Sequence, residues 1–148
     1  MPDIYVIMGD RDVKKSSTIR ALTGAARETV FEVATEEGNI DVFIKLSSLQ
    51  ESGEEPEEFI NEVTDGGYSH VLISLWIRQR NEQLPDGLTY IHRFLDAGWN
   101  IRQIVVLGAE ELPYELPQAV ENVHYIPDAE NMPTNQIAHQ IREWWRWL

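Results

Sequence analysis

The chain of 148 residues has no cysteine, which excludes a disulfide framework, a thiolate zinc site and a cysteine nucleophile. Basic residues are scarce: twelve Lys and Arg stand against twenty-five Asp and Glu, for a formal net charge of −13. Binding to nucleic acid or to an anionic lipid surface draws on many Lys and Arg to release counterions, so neither partner is expected. Nothing approaches eighteen continuous apolar residues, and no membrane-spanning segment is expected. Met1-Pro2-Asp3 runs straight into apolar sequence without a basic leader, so the reading is a soluble, unprocessed protein. With no thiol to oxidise, the cytoplasm is its expected home. His70, His92, His124 and His139 have no partner histidine three or four residues away, so no helix-borne metal pair is encoded. A G-x-S-x-G elbow, the best sequence marker of a hydrolase triad, is also absent.

What is present is enough to fold. Hydrophobic residues make up 43% of the chain, and one domain spanning 1–148 is the natural size for this length. Ile4 to Met8, His70 to Ile77 and Ile101 to Leu107 are short, nearly continuous apolar runs, as strands covered on both faces require. They are expected to be neighbouring parallel strands in the interior of a sheet. Thr29 to Thr35 and Ile40 to Leu46, separated by Glu36-Glu37-Gly38-Asn39, read as an edge hairpin. Helical spacing appears after Ser16 (Ile19, Leu22) and again in Phe59, Ile60 and Val63. It recurs in Leu88, Ile91, Phe94 and Leu95. Leu112 to Val120 reads as a further short helix, Val123 to Ile126 as a last strand, and Thr134 as the cap of a final helix. In that helix Ile137, Ile141, Trp144, Trp145 and Leu148 share a stripe, which leaves Trp147 off the stripe and exposed. Alternating strands and helices argue for an α/β fold, a three-layer α/β/α sandwich with a mostly parallel sheet.

At the end of the first strand, Gly9-Asp10-Arg11-Asp12-Val13-Lys14-Lys15-Ser16-Ser17 resembles the P-loop (Walker A) of the nucleotide-binding NTPase superfamily, G-x-x-x-x-G-K-S/T. One position departs: Lys14 stands where the second glycine belongs. The resemblance implies that Gly9 makes the turn out of the strand and that backbone N–H groups of the loop cradle phosphate. It also implies that Lys15 reaches the β and γ phosphates and that Ser16 ligates magnesium accompanying ATP or GTP. Lys14 carries a Cβ where close approach to phosphate favours glycine, although its ammonium could add a second cation to the loop.

The order of elements is similar to that of small GTPases, but their other signatures are missing. Leu46-Ser47-Ser48-Leu49 stands where D-x-x-G should, and Leu107-Gly108-Ala109-Glu110 where N-K-x-D should. Guanine specificity is therefore not implied. The strand ending at Trp76 lacks the acidic residue that holds magnesium in related ATPases and kinases; Asp12 and Asp128 are the nearest substitutes. The expectation is a nucleotide- or phosphate-binding domain with a degenerate motif and weak or no hydrolysis. The alternatives are an inactive scaffold of the same fold acting on a protein partner, and a divergent small-molecule kinase in which Arg78-Gln79-Arg80 would serve as a lid. Trp144-Trp145-Arg146-Trp147 and the acidic stretch Glu51 to Glu58 are the surfaces such a partner would use.

Overall fold

Strand β1 (Asp3–Met8) is apolar along nearly its whole length because it is flanked on both sides and covered on both faces. The computed structural model describes residues 1–10 and 14–148. The remaining strands are β2 (Thr29–Thr35), β3 (Gly38–Ile44), β4 (His70–Leu75), β5 (Asn100–Leu107) and β6 (Val123–Ile126). The helices are α1 (Lys15–Thr23), α2 (Pro56–Gly66), α3 (Gly87–Asp96) and α4 (Thr134–Trp145). The six strands form one sheet in the order β2-β3-β4-β1-β5-β6. Only β2 runs antiparallel to its neighbour. The three apolar runs are therefore adjacent parallel strands, with β1 paired to β4 from Asp3 opposite His70 to Met8 opposite Leu75.

Alternation along β1 divides the core. Tyr5 and Ile7 pack with Ile19 and Leu22 of α1 and Ile137 and Ile141 of α4. Ile4, Val6 and Met8 pack with Phe59 and Val63 of α2 and Ile91 and Phe94 of α3. Helices thus cover both faces of the sheet, an arrangement compatible with a three-layer sandwich. Among the described residues no helix is long and apolar enough to cross a membrane.

Three expectations fail locally. Leu112 to Val120 forms turns and not a helix, because Pro113 and Pro117 supply no N–H and push the residues before them toward extended backbone. Its apolar side chains, Leu112, Leu116 and Val120, still pack on the second core. Thr134 is the first residue of α4 and not its cap, a position held by Pro133. Trp147 is buried, with 4% exposure, whereas Leu148 is 73% exposed. The helical spacing stops at Arg146, whose φ of 58° is left-handed and turns the chain. Trp147 then bridges to Thr35 of β2, and the Leu148 N–H donates to the Ala34 carbonyl at 2.8 Å. The last residues thereby satisfy part of the open edge of β2, which would otherwise offer unpaired backbone groups.

Candidate functional site

In an open, mostly parallel sheet, ligands lie outside the carboxyl ends of the strands, where neighbouring strands send their connections to opposite faces. Here β1 leads into α1 on one face, while β4 leads into α3 on the other. A cleft of about 400 Å³ opens at that crevice, lined by Lys14, Lys15 and Ser16 after β1, Leu46, Ser47, Ser48 and Glu51 after β3, and Ser74, Trp76 and Arg80 at the end of β4.

The loop after β1 enters α1 through Lys14, which adopts φ 62° and ψ 33°. That is the left-handed conformation glycine takes without cost, held here by a residue with a Cβ. The Lys14 ammonium donates to the Met132 carbonyl at 2.7 Å, which ties the loop to the segment before α4. Lys15 is buried, and its Nζ donates to the Asp10 carbonyl at 3.1 Å. Ser16 sits half-buried in the first turn of α1, the end of a helix whose dipole favours an anion. Ser17 is exposed.

Other residues of the expected site do different work. The Gly9 N–H donates to the Leu75 carbonyl at 3.1 Å. The Asp10 carboxylate accepts from the N–H groups of Ile77 at 3.1 Å and Arg78 at 3.2 Å, and from the Arg78 guanidinium at 3.0 Å. Asp10 therefore clamps the β1 loop to the β4 loop, and Arg78 is used in that clamp. Arg11, Asp12 and Val13 lie outside the described residues. Asp128 accepts from the Asn131 amide at 2.7 Å and is not among the residues lining the cleft.

Trp76 and Ser74 carried no functional signal in the sequence, and Glu51 and Arg80 were read there for other roles. Trp76 is fixed from three sides. Its N–H donates to Gln50 Oε1 at 3.1 Å, its indole N–H to Glu51 Oε1 at 3.4 Å, and its ring carries the Arg80 guanidinium 4.7 Å from the centroid. Glu51, read in the sequence as the start of an acidic partner surface, is the one carboxylate among the described residues lining the cleft. Ser74 is fully buried, and its hydroxyl has no hydrogen-bond partner among the described residues. Tyr114 braces the β4 loop by donating to the Ile77 carbonyl at 2.7 Å. Burial, with Asp86 and Asp10 adding to it, pushes its hydroxyl well above the ordinary phenol value and keeps it a donor.

The arrangement presents two lysines, an arginine and three serine hydroxyls beside Ser16 at the positive end of a helix, within a chain of net charge −13. These cations stand together against the overall negative field of the chain. The stretch Leu46 to Ser48, which lacks the expected D-x-x-G, nevertheless lines this cleft. Compared with protein-family models, curated proteins and solved structures, the chain matches none.

Proposed function

We propose that the cleft binds a nucleotide or another phosphate-bearing ligand, with hydrolysis weak or absent. The observation that carries this reading is the placement of buried Lys15 and half-buried Ser16 at the start of α1, in one cleft with Arg80. Charge-assisted contacts from Lys and Arg to phosphate are roughly twice as strong as neutral ones. The left-handed Lys14 supports the reading further, because it preserves the loop's turn where glycine is missing.

Magnesium fits only partly. Ser16 supplies a hydroxyl and Glu51 a carboxylate, and the rest of an octahedral oxygen set would come from phosphate and water. When bound, the ion would neutralise phosphate charge. With Glu51 already accepting from the Trp76 indole and β4 ending in Ser74 and Leu75, the chain offers little to position an attacking water, which is why hydrolysis is expected to be weak. The small-molecule kinase alternative draws its support from Arg80, the member of Arg78-Gln79-Arg80 that reaches the cleft.

Calorimetric titration with ATP, GTP and inorganic phosphate, with and without magnesium, tests the proposal. Saturable binding is expected, and Lys15→Met should weaken it roughly ten- to a hundredfold, as the loss of a charged hydrogen bond does, with unchanged circular dichroism. No affinity at millimolar ligand would overturn the nucleotide reading in favour of the scaffold. Brisk turnover would overturn the expectation of weak hydrolysis and point to Glu51 or Asp12 as a metal ligand. Transfer that requires an added acceptor would favour the kinase.

A further inference from the structure

A second cavity, of about 470 Å³, opens at the opposite end of the sheet, where β1 and β5 begin and the residues after α4 fold back over the β2–β3 hairpin. Tyr5, Arg102, Gln103, Glu37, Trp145 and Trp147 line it. Its volume is that of a small-molecule site.

Three of the lining residues each carry a buried side-chain atom that lacks a hydrogen-bond partner among the described residues: Trp145 Nε1, Trp147 Nε1 and Gln103 Oε1. Native proteins keep few such atoms, and each calls for a reason. Two are donors and one is an acceptor. The Trp147 indole approaches the Tyr5 hydroxyl closely enough to favour its ionised form, yet makes no hydrogen bond of normal geometry.

The charges at the cavity show the same imbalance. Asp3 faces His70 at 3.7 Å and accepts from Asn100 at 3.0 Å, and Arg146 faces Glu36 at 3.8 Å. Arg102 and Glu37 make no ion pair among the described residues, although both act electrostatically on the Tyr5 hydroxyl together with Asp3. One exposed cation and one exposed anion thus stand without an ion-pair partner among the residues lining the cavity.

We propose that this cavity binds a small zwitterion carrying a carboxylate and an ammonium on one short skeleton, the chemistry of a free amino acid. The carboxylate accepts from the indole N–H groups of Trp145 and Trp147 and from Arg102. The ammonium donates to Gln103 Oε1 and Glu37, and the aromatic wall of Tyr5 and the tryptophans takes an apolar side chain. The three unpartnered atoms are closed to bulk water, so entry requires a rim side chain to swing aside. Arg146 lines the rim with 76% of its side chain exposed, and swinging aside breaks its 3.8 Å pairing with Glu36. This site is independent of the phosphate cleft.

Titrating the full chain with glycine and L-leucine, and in parallel with acetate and with methylammonium chloride, tests it. Saturable heat is expected for the two amino acids, stronger for leucine, with little for either half alone at the same concentration. Arg102→Ala should weaken binding roughly tenfold or more. Glu37→Gln should erase the preference for amino acid over acetate, and Lys15→Met should change nothing. Silence from both amino acids at tens of millimolar would overturn the proposal and leave ordered water as the partner of the three atoms. Acetate binding as well as glycine, or an unaffected Arg102→Ala, would overturn it equally.

Discussion

Lys14 shows how a side chain and its backbone can be at odds. A residue with a Cβ in the left-handed region carries a strain of about 1–2 kcal/mol, and here the bond from its ammonium to the Met132 carbonyl offsets part of it. Removing the side chain therefore has two components that substitution can separate. Lys14→Ala loses the bond and retains the strain, whereas Lys14→Gly loses the bond and relieves it. Urea denaturation should find the glycine variant more stable than the alanine variant by about 1 kcal/mol, the reverse of the order in a helix interior. If the cleft holds phosphate, Lys14→Gly should bind it at least as well as the parent. Equal stability of the two variants would mean that the left-handed turn carries no strain.

At the scale of elements, the cleft depends on how closely α3 approaches the end of β4. Gly87 begins α3, and a Cβ there would stand 2.4 Å from the Trp76 carbonyl oxygen and 2.5 Å from Met8 Cε. Backbone cannot give way as a flexible side chain can, so Gly87→Ala should cost about 1–3 kcal/mol by overpacking. It should also weaken ligand binding, because the displaced segment carries both Trp76 and Arg80. The chain after α4 behaves oppositely to its apolar spacing. Trp147 packs edge-on against Tyr5 and Trp145, with ring centroids 5.1 Å from each. Trp147→Ala should cost about 3–5 kcal/mol, as large-to-small core changes do, while Leu148→Ala, which removes only an exposed side chain and keeps the N–H bonded to Ala34, should be nearly silent in a thermal melt.

For the molecule as a whole, the acidic excess leaves one clear mark on stability. Lys45 is buried at the end of β3 and faces Glu62 at 3.0 Å, Glu54 at 3.3 Å and Glu28 at 3.7 Å. Burial first, and then the hydrogen bond shared with Glu62, pushes the Glu54 carboxyl up to about 7. Burial opposes ionisation of Glu62 as well, but its hydrogen bonds with Glu54 and Lys45 outweigh burial and hold it below the ordinary value. A carboxyl raised in the folded state binds a proton that the unfolded chain has already released. Stability from Glu54 is therefore full below about 4.5 and is lost as pH rises through about 7. Glu62 contributes with the opposite sign and loses its share only in acid. Denaturation midpoints should fall between pH 5 and 7.5, and Glu54→Gln should flatten that slope. A slope unchanged in the variant would place the titrating group elsewhere.

The interior strands were legible because their physics is local in sequence: β-branched, nearly unbroken apolar runs such as Ile4 to Met8 suit only a strand covered on both faces. The helix that follows β1 was legible for a similar reason, since Ile19 and Leu22 carry its spacing. Tertiary structure alone decided the rest. Glu51, Ser74 and Arg80 come together with Lys15 only because β3, β4 and β1 lie side by side, and separations of 36 or more residues from Lys15 leave no periodicity to read. The left-handed turn at Arg146 overrode the stripe of α4, because burying Trp147 against Tyr5 and pairing the edge of β2 with residues 147 and 148 gained more than another turn of helix. A helical pattern states which face would be buried if the helix continued; where it stops is settled by what the following residues find to pack against.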